Sequence, residues 1–287
     1  MPYPIQQLRK KDFPALLQTI PDCPKMLFMK GTMPPPERKM LCVVGSRAAS
    51  AYGRRMCATL IAGLAQYPIT IVSGLALGID AEAHKAALDV GLPTVAVLPS
   101  GLDENVLYPT LNRPLAKRIL TQGGALVSEN VPDFRAMLHS FPERNRVMAG
   151  MSIATLVIEA GEKSGTLITS RLALDYNREV LAIPHELGRP SGTGVNKLIR
   201  EGAVLIRDSD DILQVLGIKP SDKPVQQSLP TDLTDAEAKI LTALTEPLAR
   251  DELIEQTGLT AQSANIALSS LLIRGLLDER LGKIERI

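Results

Sequence analysis

Seven short apolar segments, recurring roughly every 25 residues, constrain the fold of this chain more than any other feature. They are continuous in hydrophobicity and rich in β-branched residues, and amphipathic, alanine-rich stretches separate them. Parallel strands that are covered on both faces by helices have this pattern. The segments are MLCVVG (40–45), ITIVSG (69–74), TVAVLPSG (94–101), ALVSE (125–129), ATLVIEA (154–160), VLAIP (180–184) and AVLI (203–206). We therefore predict a doubly wound, extended Rossmann-like α/β domain with a mostly parallel sheet over residues 40–217.

The flanking regions have a different character. Residues 1–39 are proline-rich and are predicted to form an ordered lead-in, with KMLFMKG (25–31) as an edge strand. The polar stretch 218–232 is rich in Pro, Ser and Gln and is typical of a linker. Residues 233–287 predict three helices followed by a β-hairpin around Leu281-Gly282, which is the order of a winged helix.

Composition limits the partners and the location of the protein. The net charge is only +1 over 287 residues, so a polyanionic partner must bind at a local patch. Cys42 lies in an apolar segment and is predicted to be a buried thiol, and the other cysteines form no C-x-x-C pair with it. This cysteine usage favours a reduced, cytoplasmic protein. The histidines are far apart, so no metal or other cofactor is predicted, and no segment resembles a secretion signal or a membrane span.

Glycine-rich loops follow three of the predicted strands. They are Gly45-Ser46-Arg47, the segment 73–80 and the segment 159–166. Ligands of doubly wound sheets bind at the carboxyl ends of the strands, where backbone N–H groups, hydroxyls and a cation can hold a phosphate. Neither a G-x-G-x-x-G nor a Walker sequence is present, which argues against nucleotide hydrolysis. The phosphate-binding residues predicted in these loops are Ser46, Arg47, Gly74, Lys163, Ser164 and Gly165.

The segment SFPERNRVMAG (140–150) predicts a further anion site. Ser140 and Glu143 have the spacing of a capping box, so a helix is expected to begin near Phe141. The first turn of a helix carries a partial positive charge, which disfavours Arg144 and Arg146 there unless an anion is bound.

Simpler roles compete with binding at several positions. The sequence supports a role for Gly78 as a turn former and a role as a binding residue equally well. Asp80 is expected to cap the following helix. His84 is expected to be a packing or surface residue, and Phe141 could be a hydrophobic staple for its helix.

Six motifs in register resemble the DNA-processing protein A family, also called DprA or Smf. They are VVGSR with AYG (43–53), SGLALGIDAEAH (73–84), PSGLDENVLYPTLN (99–112), FPERNRVMAG (141–150), VIEAGEKSGTLIT (157–169) and SGTGVNKLIREGA (191–203). The resemblance implies a Rossmann-like domain that binds single-stranded DNA, forms a homodimer, and loads the recombinase RecA during natural transformation, with no catalysis. The chain is expected to depart from the family pattern in two places. Many members carry an N-terminal helical domain that is not expected here. After the segment VLAIP, Pro184-His185 replaces the usual Pro-Gly and is expected to alter the backbone of the loop there.

The resemblance also implies roles for individual residues. Arg47, Arg144 and Arg146 would bind phosphates, Asn145 would lie with them in the DNA groove, and Phe141 would stack on a base. The DNA backbone would then be the anion that the two helix arginines require. The apolar edge formed by AVLI and ILQVLG (212–217) is the predicted dimer contact.

Two other classes of function remain open from the sequence. The fold and the Gly-Thr loop are similar to those of nucleoside-monophosphate phosphoribohydrolases, but the loop 160–166 breaks their Pro-Gly-Gly-x-Gly-Thr pattern. A transcription regulator would use its winged helix to read duplex DNA, but residues 231–287 carry six basic and ten acidic side chains, a net charge of −4. Since duplex affinity depends on neutralised phosphates, that charge argues against this role.

Overall fold

The computed structural model describes residues 3–219, 233–244, 248–273, 276–280 and 283–286. The chain divides into two compact units, Met1–Pro220 and Ser221–Ile287. Most of the predicted linker, residues 220–232, lies outside the described residues.

The first unit is built on a nine-stranded sheet. Its strands are β1 (Gln6–Leu8), β2 (Leu27–Gly31), β3 (Lys39–Gly45), β4 (Ile69–Ser73), β5 (Thr94–Val97), β6 (Ala125–Ser128), β7 (Ala154–Glu159), β8 (Glu179–Ala182) and β9 (Val204–Leu205). Their order in the sheet is β1-β2-β6-β5-β4-β3-β7-β8-β9. Strands β3 to β9 pair in parallel, and β1 and β2 are antiparallel to their neighbours. All seven predicted segments are strands, which confirms the α/β prediction.

The lead-in differs from its prediction in one respect. Strand β2 is not at the edge, because it pairs with β6 on one side and with β1 on the other. The edge strand is β1, in which Gln6 lies opposite Met29. The sequence QQL is polar and has no strand periodicity of its own. It forms a strand because β2 offers it an unpaired edge.

Eight helices cover the two faces of the sheet. They are α1 (Ala15–Gln18), α2 (Ala51–Ala62), α3 (Ile79–Asp89), α4 (Arg113–Thr121), α5 (Ser140–Met151), α6 (Thr166–Asp175), α7 (Thr193–Arg200) and α8 (Ser209–Val215). Alternate residues of β3 enter different cores: Leu41 and Val43 pack on α2 and α3, whereas Cys42 and Val44 pack on α5. Cys42 is buried as predicted, and its burial raises the pKa of the thiol to about 12.

The order of the strands places a crevice beside β3. After β3 the chain proceeds through β4 and β5 to β6 on one side, and then crosses to β7, β8 and β9 on the other. Loops that leave β3 and β7 therefore diverge to opposite faces of the sheet, which is the usual ligand position in a doubly wound fold.

The second unit is a winged helix, as predicted. Its helices are α9 (Asp235–Ala243), α10 (Arg250–Thr257) and α11 (Ala261–Ile273), and its strands are β10 (Leu248–Ala249), β11 (Leu277–Arg280) and β12 (Lys283–Arg286), in the order β10-β12-β11. Thr234 and Glu237 form a capping box at the start of α9. The predicted hairpin turn, Leu281-Gly282, lies outside the described residues. Within the described ranges, no helix is long and apolar enough to cross a membrane.

Candidate nucleic-acid interface

A cleft of about 550 Å³ lies in the crevice beside β3. The turn after β3, the first turns of α5 and the start of α6 form its walls. It brings together seven of the predicted site residues, which are Ser46, Arg47, Phe141, Arg144, Asn145, Ser164 and Gly165. Gly74 lines a smaller adjoining notch instead, and Arg146 and Lys163 line neither cavity.

Gly78 fixes the position of the turn that carries Arg47. Its φ of +77° favours glycine, and a Cβ there would lie 2.2 Å from the carbonyl oxygen of Ser46. The next residue, Ile79, donates its backbone N–H to that same oxygen at 3.1 Å. Gly78 is thus both a turn former and the reason that the loop after β4 packs against the Gly-Ser-Arg turn.

Arg47 and Phe141 form the accessible part of the site. Arg47 is exposed, and its guanidinium carbon lies over the Phe141 ring, 5.0 Å from the centroid. No carboxylate among the described residues forms a salt bridge with Arg47. A cation held on an aromatic ring is placed to bind a phosphate while the ring contacts a base.

Tyr108 belongs to this group, although the sequence reasoning did not single it out. Its ring lies 5.7 Å from that of Phe141, and it lines the same notch as Arg47. The available signal was its place in the PSGLDENVLYPTLN motif, which carries an aromatic residue in a loop at the carboxyl end of a strand.

Arg144 has a structural role that the sequence did not predict. Its Nη1 donates to the carbonyl oxygens of Gly74 (2.5 Å) and Val97 (2.7 Å), and its Nε donates to Asn145 Oδ1 at 3.1 Å. A Cβ at Gly74 would lie 1.7 Å from Nη1, so this glycine makes room for the guanidinium. The N–H and carbonyl of Gly74 and the Nε and Nη1 groups of Arg144 are thus used inside the protein, contacts that the predicted phosphate roles of these two residues did not include.

Asp80 completes this buried cluster. It was expected to cap α3, but its carboxylate instead accepts the backbone N–H of Gly74 at 3.2 Å, and Gly78 is the N-terminal cap residue. Burial raises the pKa of Asp80, and the charge of Arg144 and the backbone N–H groups of Ala76 and Gly74 oppose that rise. Asp80 and Arg144 thus hold the loop after β4 in place from beneath the cleft.

Arg146 is also paired inside the protein. Its Nη2 donates to both carboxylate oxygens of Glu129, at 2.5 and 2.6 Å, and its Nη1 donates to the carbonyl oxygen of Asp22. Only 16% of its side chain is exposed. Glu129 thus supplies an anion for this arginine inside the protein, a role that the sequence prediction had given to the DNA backbone.

The start of α5 corrects a second detail. The helix begins at Ser140, close to the predicted position, but Ser140 and Glu143 form no capping box. The Ser140 hydroxyl donates to the carbonyl oxygen of Met137 at 2.8 Å and accepts its N–H at 3.1 Å. Ser140 is already inside the helix, so its hydroxyl bonds to the preceding turn.

The loop before α6 contributes hydroxyls to the cleft. Ser164 Oγ accepts the N–H of Thr166 at 3.2 Å and orders the first turn of the helix. Thr166 and Thr169, which the sequence reasoning did not select, line the cleft, and the Thr169 hydroxyl has no hydrogen-bond partner among the described residues. Lys163 is exposed on the same loop.

Two histidines have structural contacts. His84 is fully buried with Nδ1 2.7 Å from Thr94 Oγ1, and burial, with a smaller effect of Arg144, lowers its pKa to about 3. It is therefore neutral at physiological pH and serves packing. His185 Nε2 lies 2.8 Å from the carbonyl oxygen of Ile158, and its ring contacts that of Tyr52. The described residues contain no cluster of His, Cys, Asp and Glu that could hold a metal ion.

Comparison with known proteins identifies two family matches. Residues 5–217 match the model of DNA recombination-mediator protein A, and residues 224–283 match that of the DprA winged helix domain. The chain is 44% identical to protein Smf of Escherichia coli over 204 residues, which cover 71% of this chain and 54% of that protein. It is 40% identical to DNA processing protein DprA of Streptococcus pneumoniae over 201 residues, or 70% of each chain. The chain thus spans about half the length of the E. coli relative.

Two solved structures are similar to about three quarters of the chain. DNA processing protein A from S. pneumoniae has a TM-score of 0.69 and 37% identity, with 74% of each chain covered. The protein from Helicobacter pylori, whose structure is described in terms of a unique single-stranded DNA binding mode, has a TM-score of 0.65 and 29% identity, with 75% of this chain and 96% of that chain covered. The chain therefore belongs to the DNA recombination-mediator protein A family and carries that family's winged-helix domain.

Proposed function

We propose that this protein binds single-stranded DNA and acts in DNA processing during transformation and recombination, without covalent chemistry on the strand. The observation that carries the proposal is the exposed guanidinium of Arg47 over the Phe141 ring, beside a 550 Å³ cleft. A cation and a ring side by side suit a single strand, which offers a phosphate and an unpaired base together. Membership of the family favours this class over the phosphoribohydrolase and the transcription regulator.

The proposed contacts differ in part from those expected from the sequence. Arg47 binds a phosphate, Phe141 stacks on a base, and Lys163 adds a second exposed cation. The cleft offers hydroxyls and a helix N-terminus for a further phosphate, from Ser46, Ser164, Gly165, Thr166 and Thr169. Arg144 and Arg146 act indirectly by holding the loops in place.

A salt titration with single-stranded and blunt duplex oligonucleotides of equal length tests the proposal. We expect tighter binding of the single strand and little sequence preference, because neither a phosphate contact nor base stacking reads sequence. Log K should fall linearly with log salt, by roughly 0.7 for each phosphate neutralised, and so with a slope of about −1.4 for Arg47 and Lys163. Equal or tighter binding of the duplex would contradict the proposal.

We also propose a homodimer through the β9 edge of the sheet. Strand β9 ends the sheet, and Leu205 in it remains 41% exposed. An uncovered apolar strand edge is a common pairing surface. Light scattering at micromolar concentration should report twice the mass of one 31.0 kDa chain. The mass of a monomer would remove this proposal.

The winged helix is proposed to contact protein and not DNA. Its net charge is −4, and the exposed side of α11 presents Gln262, Asn265 and Ser269 but no cation among its described side chains. Deletion of residues 219–287 should leave the affinity for single-stranded DNA unchanged or slightly higher, because a polyanion is repelled by this unit. A tenfold loss of affinity, about 1.4 kcal/mol, would show that the unit touches DNA.

The same deletion tests the finer proposal that the bound strand is passed to RecA. If the winged helix contacts a recombination partner, the deleted protein should retain DNA binding but load RecA more slowly onto strands coated by single-strand-binding protein. Unchanged loading would assign the partner contact to the first unit.

A further inference from the structure

Two aromatic rings meet at right angles at the edge of the cleft. Tyr108, in the loop between β5 and α4, and Phe141, in the first turn of α5, have centroids 5.7 Å apart and planes inclined at 81°. Tyr108 is 43% exposed, and its hydroxyl has no hydrogen-bond partner among the described residues. The whole chain holds five Tyr, four Phe and no Trp, so two rings at one site are a substantial share of its aromatic surface.

The space between the rings excludes a base. A base inserted between two rings requires parallel planes about 6.8 Å apart, which is twice the 3.4 Å spacing of stacked bases. Here the planes are nearly perpendicular, and the notch that both rings line has a volume of only about 40 Å³. Each ring can therefore accept a base only on its own accessible surface.

Bases on these two surfaces cannot remain stacked on each other. Neighbouring bases in a duplex or a helical single strand are nearly parallel. A base stacked on Phe141 and a base stacked on Tyr108 would instead be inclined to each other at about the 81° that separates the ring planes. Centroids 5.7 Å apart suit neighbouring nucleotides of one strand, and Arg47, which lines the same notch, is placed to bind the phosphate that joins them. Stacking on protein rings would offset the lost stacking between bases.

We infer that the protein unstacks two neighbouring bases of the bound strand, with one on Phe141 and the other on Tyr108. This inference rests on the proposed single-stranded DNA binding. It gives Tyr108 a role in selecting strands by how readily they unstack. Duplex DNA is disfavoured for the same reason, because its bases cannot separate at one step without breaking pairs.

Circular dichroism of an eight-nucleotide strand made entirely of 2-aminopurine tests the inference. Stacked 2-aminopurines give an exciton signal at wavelengths where protein does not absorb. Each pair of neighbouring bases contributes to this signal, so the position at which the protein binds along the strand does not matter. Binding to the full-length protein should reduce this signal. Tyr108→Phe keeps the ring and should reduce it as the wild type does, whereas Tyr108→Ala should leave it close to that of the free strand.

Affinities provide the second arm. The wild type should bind oligo-dT only about two- to threefold more tightly than oligo-dA, a modest preference that arises because adenines stack more strongly on one another. In Tyr108→Ala this ratio should fall towards one, with an overall weakening of about tenfold for oligo-dT. Tyr108 is partly exposed, so the substitution is expected to be tolerated, and the spectrum of the wild type alone can overturn the inference.

The possible results distinguish a failure of the base-separation inference from a failure of the proposed single-stranded DNA binding. If the wild type binds the strand and the exciton signal is unchanged, base separation is wrong and single-stranded DNA binding stands. If the wild type binds no single-stranded oligonucleotide, the proposed function fails as well. An unchanged dT to dA ratio in Tyr108→Ala would remove Tyr108 from strand selection.

Discussion

Replacement of Arg144 by alanine is expected to lower the free energy of unfolding by about 2–6 kcal/mol, because two buried carbonyl oxygens lose their donor at a cost of about 1–3 kcal/mol each. Asp80 would remain buried without its opposite charge, and the carbonyl oxygens of Gly74 and Val97 would lose their donor. Urea unfolding followed by far-ultraviolet circular dichroism measures the change. DNA affinity should fall only to the extent that the loop after β4 is displaced.

Two further variants make this prediction specific. Arg118 lies on α4 and pairs with exposed Asp89, so Arg118→Ala removes the same charge at a cost of less than about 1 kcal/mol. Arg144→Met combined with Asp80→Asn removes both buried charges and should recover part of the lost stability, because neither charge is then left buried without the other. If Arg144→Ala unfolds like the wild type but loses DNA affinity, Arg144 is a direct DNA contact and its structural role is wrong.

The strands of the first unit were predictable because each buried parallel strand carries its own signal. A segment such as ATLVIEA (154–160) is apolar throughout, so its state can be inferred without knowledge of its neighbours. Strand β1 was missed for the opposite reason. Its sequence, Gln-Gln-Leu, is polar, and it is a strand only because β2 offers an unpaired edge.

The candidate site was predictable in its position but not in its electrostatics. Arg47 and Phe141 come together as expected because both follow strands that end at the same edge of the sheet. The sequence marks Arg144 and Arg146 equally well, but it does not reveal which anions face them. Those anions are Asp80 and Glu129, and their proximity depends on the packing of α3 and β6 around α5.

The two arginines of the FPERNR segment, Arg144 and Arg146, differ from Arg47 in their burial and in their partners. The motif alone does not separate a contact with DNA from a contact that supports the loop. Burial and pairing make that separation here. Arg47 is exposed without a salt bridge among the described residues, whereas Arg144 and Arg146 are held by internal partners.

The double variant Arg47→Ala, Phe141→Ala is therefore expected to lose about a hundredfold or more in affinity for single-stranded DNA while the fold is retained. Stacking of one base is worth about 1–3 kcal/mol. A charge-assisted contact to phosphate adds about 1.5–3 kcal/mol, and 2.7 kcal/mol already corresponds to a hundredfold. Fluorescence anisotropy with oligo-dT and a mixed-sequence strand measures the loss, and Arg47→Ala alone should weaken both by the same factor.

Arg118→Ala is the matched control for this experiment. It removes one positive charge from the far end of α4, beside Asp89 at the carboxyl end of α3, and so away from the cleft at the start of that helix. Its affinity should stay within about twofold of the wild type at 0.15 M salt, where charges more than about 8 Å away are screened. If the double variant also binds within threefold of the wild type, the strand does not bind at Arg47 and Phe141. The exposed Lys163 and the hydroxyls around α6 would then have to hold the strand without them.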